Sequence, residues 1–219
     1  MNRIPEAELM EDEAQAFAYA LANFDEPHSM FIQLYKQIFG NSIAGMVVDL
    51  GCGTADITVR FARAYPRCCL DGIDGSENML RYGHELVAQY NLKKQIILIH
   101  GYLPHAALTP QYYDGVISNS LLHHLQDPMV LWETIRRCAK SHAPVFVMDL
   151  LRPLDEFQAR KLVKQNVADE PEILQRDFYN SLLAAYSPGE IKEQLEKAGL
   201  EHLSVSMVSD RHLVVSGYL

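Results

Sequence analysis

The chain has 219 residues, of which 48% are hydrophobic, and a formal net charge of −9 at pH 7. An acidic chain without a run of five basic residues is a poor partner for nucleic acid, and no apolar stretch approaches the ~20 residues that cross a bilayer. Residues 1–6 lack the apolar core of a signal peptide. We therefore expect one cytoplasmic domain that neither binds nucleic acid nor enters a membrane.

The cysteines and histidines give no sign of a metal or redox site. Cys52, Cys68, Cys69 and Cys138 show no C-x-x-C spacing, which predicts reduced, mostly buried thiols. The nine histidines do not cluster at the spacing of metal ligands, so we expect no metal.

Two helices are predicted before the first strand. Residues 6–22 place alanines, Phe17 and Leu21 on one helical face, which is typical of a peripheral helix. Pro27 lies in a first helical turn, and Gly40 follows the last periodic residue of the second helix.

Strands and helices then alternate along the chain. The predicted strands span residues 45–50, 68–73, 95–99, 114–118 and 144–150, and the predicted helices between them span residues 54–65, 76–90 and 128–140. The third strand, residues 95–99, is an unbroken apolar run, which is typical of a parallel strand buried on both faces. This alternation predicts an open parallel sheet with helices on both faces.

The segment after the fifth strand, residues 151–186, is longer than a minimal crossover needs, and we expect a helical insertion at the rim. Ser187, Pro188 and Glu190 then occupy the N-cap, N1 and N3 positions of a capping box. Gly199 ends the helix that they begin.

The most informative motif follows the first strand, where Asp49, Gly51 and Gly53 lead through a turn into a helix. Glycines let a backbone approach a ligand that side chains exclude, and a helix start directs unpaired N–H groups at it. A dinucleotide-binding turn reads G-x-G-x-x-G/A, whereas the sixth position here is Asp56. A carboxylate at a phosphate-binding helix start repels the anion, so the turn suits a ligand without phosphates, such as S-adenosylmethionine.

At this motif the sequence resembles class I S-adenosylmethionine-dependent methyltransferases, whose first motif reads roughly D-x-G-x-G-x-G, with Ala55 here at the third glycine. Residues 203–208 and 213–218 are separated by a short tip and are predicted to pair as an antiparallel hairpin. Class I methyltransferases close their seven-stranded sheet with such a hairpin. The expected fold is therefore α/β: a Rossmann-like, seven-stranded, mostly parallel sheet with a C-terminal antiparallel hairpin and helices on both faces.

The end of the second strand, residues 72–80, resembles the family pattern G-x-D-x-S-x-x-M-L. Asp74 follows Gly51 by 23 residues and is placed to accept both ribose hydroxyls of the cofactor. The alternatives are that Asp74 only caps the following helix, or that Asp71, deeper in the strand, binds the ribose. Met79 is predicted beside the adenine.

After the third strand, Gly101, Tyr102 and Leu103 stand where the family commonly has a Gly-Asp pair that receives the adenine amino group. The Asp is absent. We therefore expect the backbone of Tyr102 and Leu103 to bind the edge of the adenine, with the tyrosine ring as a stacking face.

After the fourth strand, residues 122–128 resemble the L-H-H-x-x-D-P segment of methyltransferases of ubiquinone and menaquinone biosynthesis. By that resemblance the backbone around Asn119 contacts the amino acid end of the cofactor, and His123 or His124 lies near the substrate. As the predicted catalytic residues, His123 and His124 are placed to take a proton from the acceptor, because imidazole titrates near neutral pH. The alternative is that both only hold the loop.

The family also places lids over the cofactor, from N-terminal helices and from the insertion before the sixth strand. Tyr19 and Phe24 are candidates in the first lid. Candidates in the second lid and at the hairpin tip are Arg176, Asp177, Phe178, Tyr179, Tyr186, Arg211 and His212. Any one of these side chains is more often packing than site.

The resemblance implies a single methyltransferase domain over residues 1–219, with lid helices (1–40), a cofactor-binding core (41–150), a helical cap (151–186) and a closing helix and hairpin (187–219). It implies methyl transfer from S-adenosylmethionine to a small-molecule acceptor, with S-adenosylhomocysteine as product. An NAD(P)-dependent oxidoreductase and a non-catalytic S-adenosylmethionine-binding protein stay open as alternatives. The predicted cofactor-binding residues are Tyr19, Asp49, Gly51, Cys52, Gly53, Asp74, Gly75, Met79, Gly101, Tyr102, Leu103 and Asn119.

Overall fold

A computed structural model describes residues 1–6 and 12–219, and its strands form one sheet. In chain order the strands are β1 (Gly45–Leu50), β2 (Cys68–Asp74), β3 (Ile96–His100), β4 (Gly115–Asn119), β5 (Pro144–Leu150), β6 (Ser204–Met207) and β7 (His212–Tyr218). Their order in the sheet is β3-β2-β1-β4-β5-β7-β6, and β7 runs antiparallel to both of its neighbours. The predicted mostly parallel, seven-stranded α/β sheet with a closing hairpin is confirmed.

The helices of the described residues also follow the predicted order. They are α1 (Glu13–Leu21), α2 (Asp25–Phe39), α3 (Asp56–Ala64), α4 (Glu77–Gln89), α5 (Met129–Cys138), α6 (Glu156–Asn166), α7 (Glu172–Ala184) and α8 (Pro188–Ala198). The helix predicted over residues 6–22 falls partly on residues 7–11, which lie outside the described residues. Over the residues that the structure covers, no helix combines the length and apolarity needed to cross a membrane.

The helix ends follow the capping residues in the sequence. The Ser187 side chain accepts from the N–H of Glu190, and the Glu190 carboxylate accepts from the N–H of Ser187 over 2.8 Å, so the predicted capping box is present. Gly199 ends α8 with a φ of 69°, in the left-handed region that favours glycine. The Ser76 side chain caps α4 by accepting from the N–H of Met79.

Helices cover both faces of the sheet. On one face, Trp132 of α5 and Leu195 of α8 share an apolar cluster with Val145 of β5. On the other face, Phe31 of α2 packs edge-on against Phe146 of β5, with ring centroids 4.7 Å apart. The insertion is helical as predicted, since α6 and α7 form it.

One sequence-based expectation, the burial of the third strand, needs correction. The run at β3 was expected to be buried on both faces, but Ile97 is 60% exposed because β3 is the edge strand beside β2. An apolar run does not distinguish an edge strand from a central one. Of the four free thiols, only Cys69 is exposed, so the expectation of mostly buried cysteines holds for the other three.

Candidate active site

The carboxyl ends of β1, β2 and β4 open into a cavity of about 570 Å³, which residues of α1, α2 and α7 line from the other side. Every residue predicted to bind the cofactor lies in its lining: Tyr19, Asp49, Gly51, Cys52, Gly53, Asp74, Gly75, Met79, Gly101, Tyr102, Leu103 and Asn119. The two predicted catalytic residues, His123 and His124, line the same cavity. The structure thus brings these residues together, and their individual roles stay predictions.

The turn after β1 needs its glycines. Gly51 and Gly53 have φ angles of 75° and 53°, in the left-handed region. A Cβ atom on Gly51 would lie 2.9 Å from the Cβ atom of Leu121, so a larger residue does not fit. Ala55, at the third glycine position, also has a left-handed φ, of 63°, as the N-cap of α3. This conformation explains why glycine suits that position in the family motif.

Asp74 holds the turn from the end of β2. Its Oδ2 accepts from the N–H of Gly53 and its Oδ1 from the N–H of Ser76, both over 2.8 Å. Each carboxylate oxygen keeps a further lone pair for a ribose hydroxyl. The alternative ligand, Asp71, is buried outside the cavity lining and accepts from the Tyr113 hydroxyl over 2.8 Å.

Two buried oxygen atoms face the cavity at the ends of the neighbouring strands β1 and β4. Among the described residues, Asp49 Oδ1 and Asn119 Oδ1 have no hydrogen-bond partner, whereas Asp49 Oδ2 accepts from the Thr58 hydroxyl over 2.6 Å. Burial raises the pKa of Asp49 to about 7. Leaving buried acceptors unpaired is costly, and an ammonium group is a suitable partner because it carries three donors and no acceptor. The amino acid end of S-adenosylmethionine carries such a group, so these residues fit that cofactor.

Asp56 is the first residue of α3, so its carboxylate lies at the helix start, as predicted from the sequence. It accepts from Arg60 Nε over 2.8 Å, and His28 Nδ1 lies 2.5 Å from the same oxygen. Burial alone would raise the pKa of Asp56, but hydrogen bonds from His28 and Arg60 hold it below its ordinary value. The carboxylate therefore stays ionised, and the guanidinium beside it makes its repulsion of a phosphate weaker than an unpaired charge would give.

The residues predicted to bind the adenine differ in their exposure to solvent. Met79 is buried, and its Cε lies 3.3 Å from the position of a Cβ atom on Gly53, so the thioether closes one side of the turn. Tyr102 is 46% exposed, with its ring edge-on to His100 at 5.5 Å. Tyr102 therefore leaves about half of its surface accessible to a ligand.

Only some lid candidates reach the cavity. Tyr19 packs its ring 4.5 Å from that of Phe24, and burial raises its pKa to about 12, with the charges of Asp56 and Asp74 adding to the effect. Those candidates that line the cavity are Tyr19, Phe24, Asp177, Phe178, Arg211 and His212. The remaining ones, Arg176, Tyr179 and Tyr186, lie outside the lining.

The far end of the cavity holds a polar cluster. His123 Nδ1 lies 2.6 Å from Asp149 Oδ1, and Asp149 Oδ2 accepts from the N–H of Leu122 over 2.8 Å. His123 is only 2% exposed, and its Nε2 lies 3.6 Å from Glu6 Oε1. His124 Nδ1 lies 3.3 Å from the same Glu6 oxygen.

Sequence reasoning missed three residues of this cluster. Asp149 could have been found, because it stands at the carboxyl end of a predicted strand, where ligands of open sheets bind. No sequence motif links Glu6 or Arg3 to the histidines, since both residues lie more than one hundred positions before them in the chain. Arg3 donates to the carbonyls of His123 and Ala184, over 2.8 and 2.6 Å, and so joins the loop after β4 to the end of α7.

Comparison with known proteins agrees with this geometry. The profile of a family described as "Methyltransferase domain" matches residues 47–144. Demethylmenaquinone methyltransferase of Bacillus cytotoxicus is 32% identical over 107 residues, which cover 48% of this chain and 45% of that protein. The chain therefore matches about half the length of the curated relatives.

Solved structures share the fold over most of the chain. A SAM-dependent methyltransferase from Aquifex aeolicus superposes with a TM-score of 0.70 at 18% identity, covering 94% of this chain and 98% of that one. Phosphoethanolamine N-methyltransferase 2 of Haemonchus contortus, solved in complex with S-adenosyl-L-methionine, gives a TM-score of 0.65 at 18% identity, covering 89% of this chain and 43% of that one.

The fold is that of S-adenosylmethionine-dependent methyltransferases of known structure, and residues 47–144 match a methyltransferase domain. The relatives that share this domain include demethylmenaquinone methyltransferases. The resemblance stated from the sequence motifs is confirmed over residues 47–144. S-adenosyl-L-methionine is the ligand bound in the Haemonchus contortus structure. The comparisons do not favour the oxidoreductase alternative.

Proposed function

We propose that this chain transfers the methyl group of S-adenosylmethionine to a small-molecule acceptor and leaves S-adenosylhomocysteine. The observation that carries the proposal is that one cavity joins the glycine turn after β1 to the polar cluster at His123. Methyl transfer is an in-line displacement on a carbon that the sulfonium already activates. The protein has to align the nucleophile and exclude water, and the helices α1, α2 and α7 that line the cavity opposite the sheet are proposed to serve both purposes.

The lining residues support one direction for the cofactor. Asp74 and Tyr102 are proposed to bind its adenosine end, and the unpaired oxygens of Asp49 and Asn119 are proposed to bind its amino acid end. The sulfonium, which connects these two ends in the ligand, then has its methyl group directed to the part of the cavity that His124 lines. That part is the acceptor end.

The acceptor end combines an apolar wall with the polar cluster. Leu125, Leu174 and Phe178 line the cavity there. We propose an acceptor with an apolar body and one polar group at the methylated position. The relatives named demethylmenaquinone methyltransferase support an acceptor of this kind, since a quinone derivative has both parts.

His123 and His124 are proposed to assist the acceptor. Direct proton removal by His123 requires its Nε2 to face the acceptor, whereas Nε2 faces Glu6 Oε1 at 3.6 Å. We therefore propose that the two histidines act together with Glu6 as one unit. His123→Ala should keep S-adenosylmethionine binding and lose turnover. Unchanged turnover on the true acceptor would leave the histidines with only a structural role.

Two measurements test the function. Isothermal titration should show binding of S-adenosylmethionine and S-adenosylhomocysteine but not of NAD, and the reverse result would favour the oxidoreductase. Release of S-adenosylhomocysteine with a panel of quinol-like and phenolic acceptors separates an enzyme from a protein that only binds the cofactor. Cofactor binding without release for any acceptor would support the non-catalytic alternative.

The proposed setting is the cytoplasm, with neither nucleic acid nor membrane as partner. The net charge of −9 supports this, because a polyanion is repelled by such a chain. Retention on a heparin column at physiological ionic strength would contradict it.

A further inference from the structure

Glu6, His123 and His124 bring three potential metal-ligating atoms together at the acceptor end of the cavity. Glu6 Oε1 lies 3.6 Å from His123 Nε2 and 3.3 Å from His124 Nδ1, and all three atoms lie within 4.8 Å of one another. Ligand atoms held 2.0–2.1 Å from a tetrahedral ion are about 3.3–3.5 Å apart. Two of the three separations are therefore already close to those around a bound ion.

The groups behind these atoms orient them as a metal site requires. With the His123 proton on Nδ1 and donated to Asp149 over 2.6 Å, the lone pair of Nε2 is directed at Glu6. The Ser181 hydroxyl donates to Glu6 Oε1 over 2.9 Å and fixes the carboxylate. A histidine whose second nitrogen is held by a carboxylate is the usual arrangement around protein-bound zinc.

The two buried carboxylates of the cluster also favour binding of a cation. Glu6 and Asp149 are both largely buried, and two carboxylates beside neutral imidazoles are unfavourable in that setting. The guanidinium of Arg3 is directed at the backbone carbonyls of His123 and Ala184. A proton on His123 can bridge one pair of atoms at a time, whereas a metal ion contacts all three ligand atoms at once.

We propose that Glu6, His123 and His124 bind one divalent transition-metal ion of the zinc type, with a coordination position open to the cavity. Two imidazoles and one carboxylate favour Zn²⁺ over Mg²⁺ or Ca²⁺, which prefer oxygen ligands. The spacing of the histidines along the chain gave no metal signal because Glu6 comes from the distant N-terminal segment. The role of the ion rests on the proposed function: an acceptor hydroxyl bound at the open position loses its proton to solvent more readily before it attacks the methyl carbon.

The test titrates Zn²⁺ into the full chain after chelator treatment, in a Cys69→Ser background. Cys69 is an exposed free thiol and would bind Zn²⁺ independently. Calorimetry and elemental analysis should give one Zn²⁺ per chain without any cofactor present. Glu6→Gln and His124→Ala should each weaken binding by more than about 100-fold, which exceeds the usual loss on removing an outer-shell partner. His202→Ala removes an exposed histidine and should leave binding unchanged.

The outcomes separate this inference from the proposed function. Absence of Zn²⁺ binding in the parent, or equal binding in the parent, Glu6→Gln and His124→Ala, overturns the metal site. Affinity for S-adenosylmethionine, measured on the same samples, verifies that each variant is folded. A parent that releases S-adenosylhomocysteine without Zn²⁺ contradicts the role proposed for the ion, whereas a parent that binds Zn²⁺ but no cofactor contradicts only the proposed function.

Discussion

The backbone N–H of Gly53 donates to Asp74 Oδ2 over 2.8 Å, so the glycine turn after β1 is tied to the carboxyl end of β2. The second oxygen of the same carboxylate holds the start of α4 through the N–H of Ser76. One side chain thus sets the shape of the turn and presents its remaining lone pairs to the cavity.

Replacing Asp74 should affect the cofactor more than the fold. Asp74→Ala removes the predicted acceptor of both ribose hydroxyls and should weaken S-adenosylmethionine binding by more than about tenfold, since one hydrogen bond to a charged group contributes about 1.5–3 kcal/mol. Isothermal titration measures this. Glu77→Ala, which removes an exposed carboxylate three residues away, is the control, and equal affinities of the two variants would argue against a ribose role.

Cofactor affinity should rise with pH because of Asp49. Burial raises the pKa of this carboxyl from 3.8 to about 7, so the protonated form predominates below neutrality in the free protein. The cationic cofactor favours the carboxylate, and binding must then release a proton. The affinity for S-adenosylmethionine should increase about tenfold between pH 6 and pH 8. Titrations in buffers of different ionisation enthalpy measure the proton released.

Asp49→Asn is the matched control for this pH dependence. The amide keeps the size of the side chain and can still accept from the Thr58 hydroxyl, but it does not titrate. Its affinity should stay flat from pH 6 to pH 8. For the free protein, the sign for stability is opposite: a raised folded pKa means that the contribution of Asp49 to stability falls as pH increases from about 4 to 7. A pH profile that survives in Asp49→Asn would assign it to another group.

Gly51→Ala should abolish cofactor binding. The residue has a left-handed φ of 75°, and a Cβ atom would lie 2.9 Å from Leu121, so the turn has to shift. The left-handed conformation costs a non-glycine residue about 1–2 kcal/mol, and denaturant unfolding should show a loss of that order or more. Gly189→Ala meets nothing within 4 Å and should be neutral or stabilising. Equal effects of the two substitutions would show that the turn is not specially constrained.

The pairing of α5 with α8 can be tested through the single tryptophan. Trp132 Nε1 donates to Gln194 Oε1 over 2.9 Å in the interior. Gln194→Ala leaves the indole N–H without this partner and should reduce the free energy of unfolding by about 1–3 kcal/mol, followed by tryptophan fluorescence. Lys192→Ala, on the exposed side of the same helix, should change it by less than about 0.5 kcal/mol. If Lys192→Ala reduced the free energy of unfolding by as much, the effect of Gln194→Ala would be due to a change in helix propensity and not to the lost hydrogen bond.

The strands and helices could be predicted from the sequence because each depends on residues that are neighbours in the chain. The bounds of β1 and β5 match the prediction residue for residue, since each is an apolar run that ends where turn residues begin. The capping box at Ser187 likewise involves neighbours in the chain. The exposure of Ile97 could not be predicted from the sequence, because the position of β3 at the edge of the sheet depends on which strands pair with one another.

The same distinction between local signals and long-range contacts applies to the residues of the candidate site. Except for Tyr19, the residues predicted to bind the cofactor lie at or after the ends of predicted strands, and they line one cavity because parallel strands bring their carboxyl ends to one edge. The contacts of Glu6 with the two histidines arise only when the N-terminal segment packs beside α7, and no spacing in the sequence encodes that. The conclusion that Asp56 excludes phosphate was likewise incomplete, because the contact of His28 with this carboxylate joins α2 to α3 and is not encoded by neighbouring residues, whereas the i,i+4 pairing with Arg60 is local.

The contacts of Arg3 have a consequence for engineering this chain. They tie the loop that carries the histidines to α7, a helix outside the predicted cofactor-binding core. On the proposed function, acceptor recognition then depends on the outer segments, whereas all predicted cofactor-binding residues except Tyr19 lie within residues 49–119. Exchange of the outer segments between homologues, with Arg3 and its carbonyl partners transferred as a set, should therefore redirect the enzyme to new acceptors without rebuilding its nucleoside pocket.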